Sequence, residues 1–144
     1  MSAFTPTEIE YLTSQTLGRI ATVGPDGQPH VTPVTYFYNA SEDTLDVGGL
    51  FFEKTKKWRD CQKNSKVTFL VDDVLANPRR ARAVEIRGEV ELHGTGGDRI
   101  NPRFPNFSNG FFRLRPTWIV SWGMSEGGTD ARAFQLNSRS AHPT

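Results

Sequence analysis

Cysteine is nearly absent: Cys61 is the only one in 144 residues, so no disulfide can form within the chain and no cysteine-based metal site can be assembled. The plain reading of Cys61 is a thiol on a short helix. The three histidines, His30, His93 and His142, are scattered rather than spaced as i, i+4 ligands, so the expectation is a protein without a metal. No apolar run approaches the ~20 residues that a membrane-spanning helix needs. The N-terminal MSAFTPTEIE also lacks the charged-then-apolar order of a secretory leader, which predicts a cytoplasmic protein with no membrane partner. Net charge is only +1, too small a field to gather nucleic acid, so anion binding has to be local. Missing too are a Gly-x-Gly-x-x-Gly after a strand, a P-loop and a Gly-x-Ser-x-Gly elbow, and no Ser/His/Asp spacing suggests a triad. No catalytic residue is named on this basis. A chain with no nucleophile or metal of its own, but with a shaped anion site, is a candidate to borrow its chemistry from an organic cofactor.

What is present predicts a single domain over residues 1–144. Thr5, Pro6 and Glu8 form a capping box with proline at the first helical position, so a short helix begins there, turns Ile9 and Leu12 inward and ends before Gly18. RIATV and HVTPVTYFY flank Gly24-Pro25-Asp26-Gly27, a tight reversal that makes them a hairpin. Thr44 to Val47 then pairs antiparallel with the second strand, and Glu53 to about Gln62 forms a second short helix with Trp58 and Cys61 on one side. Further strands are predicted at Lys66 to Val71, Ala83 to Leu92 and Phe112 to Trp122. Gly94 to Gly110 reads as a loop plugged by Phe104 and Phe107, and 137–144 as a polar tail. Strands in antiparallel succession with two short helices argue for a mainly β chain closed as a barrel.

Basic residues gather twice, at Lys54, Lys56, Lys57 and Arg59, and at Arg79, Arg80, Arg82 and Arg87. In GGLFFEKTKKWRD, Gly48 and Gly49 let backbone approach a ligand closely, and the helix that follows offers N–H groups beside the Thr55 hydroxyl and the Lys56 and Lys57 ammoniums. That set suits a phosphate monoester. It suits equally a solvated basic helix face, and the residues alone leave both readings open. The four arginines read as a charged strand edge that discourages stray pairing. Trp118 and Trp122, four apart on a strand, fall on one face and serve core or interface packing, with stacking on a cofactor as the alternative.

Taken in order, RIATVGPDGQPHVTPVTYFY, DVGG, KTKKWRDCQKNSKVTFLVDD, VEIRGEVEL and FRLRPTWIVSWG resemble the pyridoxamine 5'-phosphate oxidase-like, FMN-binding split β-barrel superfamily. Within it they are most similar to the probable coenzyme F-420-dependent oxidoreductases, over about Thr7 to Gly123. The resemblance implies an antiparallel split β-barrel with two short helices, homodimeric, with the cofactor at the subunit interface. It implies that Thr55, Lys56 and Lys57 hold the cofactor phosphate and that the second strand runs along the ring, with Val31, Thr32 and Pro33 as contacts. Asp60 departs from the Asn or Gln common there, replacing a donor with an acceptor. The implied activity is hydride transfer from reduced F-420, a deazaflavin, to an unsaturated small molecule. FMN is the alternative cofactor, and a non-catalytic flavin or deazaflavin carrier or sensor the alternative of another class. The resemblance further suggests the arginine cluster as an attractor for the polyglutamate tail of the deazaflavin, and Trp118, Trp122, Phe104 and Phe107 as interface or substrate-pocket aromatics.

Overall fold

Thr5 opens the first helix, α1 (Pro6–Ser14), by the predicted reciprocal pair: its hydroxyl accepts the Glu8 N–H and its own N–H donates to the Glu8 carboxylate. This comes from a computed structural model, which describes residues 1–124 and 136–142. The meander follows as β1 (Leu17–Val23), β2 (Pro29–Asn39) and β3 (Thr44–Gly48). A 3-10 turn (Phe52–Lys54) then leads into α2 (Lys56–Lys63). Next come β4 (Lys66–Ala76), β5 (Arg79–His93), a second 3-10 turn (Gly97–Arg99), β6 (Phe111–Trp122) and β7 (Asn137–Ser140). Among the described residues no helix is long and apolar enough to cross a membrane.

All pairings are antiparallel, in the order β3-β2-β1-β4-β5-β6-β7, and β3 also pairs with β6, which closes six strands into a ring. Alternation aims one side of each strand inward: Val67, Phe69 and Val71 from β4 and Val84, Ile86 and Val90 from β5 are buried together with Phe112, Leu114 and Ile119 from β6. Between Arg87 and Gly88 the β5–β6 register shifts, because β6 carries the extra residue Thr117. Gly88 is required there, since a Cβ would overlap the Arg115 carbonyl oxygen. The extra residue also flips which side chains point inward: Pro116 is buried before it, Ile119 and Ser121 after it. Trp118 is therefore 38% exposed, with its indole N–H donating to Ser138 Oγ at 2.9 Å.

One expectation is corrected. Residues 137–140 are not a tail: they form β7 along Trp118–Ser121 of β6, while residues 143–144 lie outside the described residues. Arg139 locks the strand in place by donating to the Glu8 carboxylate at 2.6 and 3.0 Å and to the Ala3 carbonyl at 2.8 Å. Of the four arginines, Arg79, Arg80 and Arg82 lie on the stretch of β5 that pairs with β4 alone, whereas Arg87 lies inside the sheet. Arg82 forks onto Asp73 at 2.9 and 2.7 Å, Arg87 pairs with Glu85, and β5 lies between β4 and β6 from Ala83 onward.

Candidate functional site

The basic second helix and its cap hold three unlike side chains where the sequence shows three similar donors. Thr55 is the N-cap of α2: its hydroxyl accepts the Trp58 N–H at 3.4 Å and donates to the Phe52 carbonyl at 2.6 Å. Lys56 is engaged by Asp60 one turn later, Nζ lying 2.9 and 3.1 Å from the two carboxylate oxygens. Asp60 is 4% exposed and accepts a third hydrogen bond from Thr22 Oγ1 on β1 at 3.0 Å. The Lys56 hydrogen bond, with Thr22 behind it, outweighs burial and holds the Asp60 carboxyl below the usual aspartate value.

Lys57 differs from both. It is half-buried, its ammonium sits 5.5 Å over the Phe52 ring, and among the described residues it makes no ion pair. Burial with no countercharge lowers its pKa below the ordinary lysine value. It is a cation partly stripped of water and still short of an anion.

Gly24 joins this helix to the β1–β2 turn. A Cβ there would lie 2.5 Å from Asp60 Oδ1 and 3.5 Å from Lys56 Nζ, so only glycine lets the turn close over the pair. Just beyond the turn, β2 splits its side chains by face. Val31 and Pro33 are exposed, whereas His30 and Thr32 turn inward opposite Thr22 and Ile20 of β1. His30 Nδ1 and Thr32 Oγ1 are buried atoms with no hydrogen-bond partner among the described residues. His30 is also close enough to Asp60 to act on its carboxylate electrostatically. Buried polar atoms are normally paired, and two such atoms on one strand mark a place suited to a polar ligand.

Gly48 and Gly49 use their close approach on the chain itself. The space a Gly48 side chain would need holds Ile100 and Phe107, and the Gly49 carbonyl accepts the Ser108 N–H at 3.0 Å and its hydroxyl at 2.9 Å. The structure thus gathers Lys56, Asp60, Thr22 and Gly24, with His30 near them; Thr55 caps the same helix, Lys57 lies over Phe52, Thr32 stands opposite Ile20, and Gly48 and Gly49 lie under the loop. Sequence reasoning passed over Asp60 as the partner that engages Lys56, although the i, i+4 spacing was visible; for His30 there was no local signal.

Asp60→Asn is expected to cost about 1 kcal/mol, the typical net worth of one hydrogen bond. Because the folded-state value of Asp60 is depressed, the wild-type advantage is full above the unfolded value near 3.8 and disappears as pH falls through the folded one. Urea unfolding of both proteins between neutral and acid pH tests this; a gap that widens in acid contradicts it.

Residues 4–104 match the family described as pyridoxamine 5'-phosphate oxidase. The 5a,11a-dehydrotetracycline/5a,11a-dehydrooxytetracycline reductase of Streptomyces rimosus is 38% identical over 122 residues, 84% of each chain. In fold, the chain is similar to an FAD binding protein from Mycobacterium smegmatis, with a TM-score of 0.61 and 24% identity over 84% of this chain and 96% of that one. It is similar also to a pyridoxamine 5'-phosphate oxidase-related, FMN binding protein from Nostoc punctiforme, with a TM-score of 0.61 and 13% identity over 97% and 98% of the two chains.

Proposed function

We infer the function from the premise that this chain belongs to the pyridoxamine 5'-phosphate oxidase family. It is an oxidoreductase, and we propose that it uses reduced coenzyme F-420 to transfer a hydride to an unsaturated small molecule. The observation that carries the cofactor site is Lys57, a half-buried ammonium without an ion-pair partner among the described residues. Leaving a charge in that state is costly, and a phosphate is the kind of group that relieves the cost. The orphaned Thr32 Oγ1 and His30 Nδ1 fit a ligand with polar edges. When bound, the deazaflavin ring supplies the hydride.

The chain's own residues bind and orient. Lys57 holds the phosphate, and Thr55 fixes the first turn of α2 so that Lys57 stays there. Lys56 adds positive field from its place on Asp60, and Gly24 keeps the β1–β2 turn tight against the pair. Val31 and Pro33 offer an exposed wall beside the buried hydroxyl of Thr32, with Gly48 and Gly49 at the end of the neighbouring strand. No side chain is assigned as proton donor; solvent supplies the proton. Val31, Leu50 and Phe51, exposed by 64%, 64% and 69%, are large apolar side chains that a second copy of the chain would cover, in the homodimer we propose around the cofactor. The ring of six strands is read as the split barrel of that dimer.

The Streptomyces rimosus relative is named for reducing a dehydrotetracycline, which supports a conjugated acceptor here. FMN in the same phosphate site is the second reading, favoured by the likeness to an FMN binding protein over nearly the whole chain. Titrating purified apoprotein with each cofactor decides: sub-micromolar FMN binding with no response to F-420 overturns the first reading. Tight cofactor binding with no turnover of enone, quinone or tetrapyrrole acceptors would instead leave a carrier or sensor. Lys57→Ala is expected to weaken cofactor binding by about 1.5–3 kcal/mol, the range for a charge-assisted hydrogen bond, while thermal unfolding stays where it was. Unchanged affinity would remove Lys57 from the site.

A further inference from the structure

Between the C-terminal turn of α1, the middle of β2 and the loop that follows the second 3-10 turn lies a cleft of about 230 Å³. Leu12 and Tyr36, 1% and 5% exposed, line it from the protein interior, and the Tyr36 hydroxyl is already spent on the Leu12 carbonyl at 2.6 Å. Phe37 and Phe104 line it from the surface, exposed by 39% and 37%. The lining is therefore largely hydrocarbon, suited to a ring.

The loop wall is fixed by the chain's own bonds. Asn101 is 4% exposed, its side-chain oxygen accepts the Arg103 N–H and its carbonyl accepts the Phe104 N–H, both at 3.0 Å. Phe104 also stacks on Phe107 with ring centroids 5.0 Å apart and planes 2° from parallel. An aromatic wall ordered in advance spares a ligand part of the entropic cost of binding. Arg103 lines the same cleft and makes no ion pair among the described residues. Thr35, also in the lining, and Phe37 continue the side of β2 that carries Val31 and Pro33.

We propose that this cleft is the acceptor site and that it takes an apolar conjugated ring bearing an anionic group, a carboxylate, enolate or sulfonate, which Arg103 meets. That it receives the hydride acceptor rests on the function proposed above; that it binds such a molecule does not. The volume limits the fit. Whole drug-sized ligands occupy pockets from roughly 300 Å³ upward, so the cleft grips one or two fused rings and leaves the rest of a larger acceptor outside.

The test is a fluorescence titration of the full chain with 1-anilinonaphthalene-8-sulfonate and with N-phenyl-1-naphthylamine, the same ring system without its charge. Arg103→Gln is expected to weaken the anionic probe about tenfold, as the loss of one charge-assisted contact does, and to leave the neutral probe within about twofold. Thr35→Trp, which fills the cleft, is expected to weaken both. If Arg103→Gln affects both probes alike or neither, or if Thr35→Trp affects neither, the assignment is overturned. A chain that binds neither F-420 nor FMN but shows this probe pattern keeps the cleft and loses the cofactor reading. A chain that binds cofactor while both probes ignore both substitutions does the reverse.

Discussion

Replacing Arg139 with Ala is expected to lower the free energy of unfolding by about 3–5 kcal/mol, the cost of removing one partner from a buried ion pair. The size of the effect follows from what remains. Glu8 is 1% exposed, and its carboxylate accepts from Arg139, from Ser121 Oγ at 2.6 Å and from the Thr5 N–H at 2.9 Å. Taking Arg139 away leaves a buried negative charge with two neutral donors. Burial pushes the Glu8 carboxyl up, but the hydrogen bonds from Arg139, Ser121 and Thr5 outweigh it, so the folded-state value lies below the ordinary 4.5. The wild-type clamp therefore contributes fully above that pH and is lost as pH falls through the depressed value. In Arg139→Ala only Ser121 and Thr5 are left to oppose burial, and acid unfolding begins at a higher pH. Urea unfolding at neutral pH measures the first effect and an acid titration the second. A loss under about 1 kcal/mol would mean that water reaches Glu8 and the clamp is a surface pair.

Phe112→Ala is expected to cost a similar amount, about 3–5 kcal/mol, because a fully buried phenyl ring is replaced by a cavity. Phe112 is 0% exposed, meets Phe52 edge-on at 4.8 Å and lies parallel to Trp58 at 5.6 Å. Those two contacts set the height of α2 above the ring. The substitution is therefore expected also to weaken cofactor binding, whereas Phe112→Leu, which keeps most of the volume, preserves it. Denaturant unfolding and cofactor titration on both variants separate the outcomes. If stability falls and affinity does not, α2 is positioned by the Asp60–Thr22 contact rather than by the aromatic stack.

The parts of this molecule legible in its sequence are those whose causes lie a few residues apart. Thr5, Pro6 and Glu8 announce a helix within one turn, and Gly24 to Gly27 announce a hairpin, because each residue acts on backbone next to it. Strand β7 could not be read in this way: Asn137–Ser140 is polar and short, and what holds it is a carboxylate 131 positions earlier. The face of Trp118 was hidden for another reason, since simple alternation cannot know that Thr117 is an added residue. At the site, composition presents Thr55, Lys56 and Lys57 as equivalent donors. Only the fold brings Thr22 and Gly24 onto Asp60, which ties Lys56 down, and leaves Lys57 without an ion-pair partner among the described residues. The closure of β3 onto β6, which turns a meander into a ring, joins residues as far apart as Asp46 and Arg113, and no local pattern records it.

One edge of β6 serves two neighbours in succession: Phe112–Leu114 closes onto β3, and Trp118–Ser121 carries β7. The two seams use different stretches of the strand, with Thr117 between them. The C-terminal strand thus takes no part in the circumference: the hoop of six strands is closed by the Phe112–Leu114 seam alone, and β7 works as a clasp that seals Glu8 of α1 against its outside.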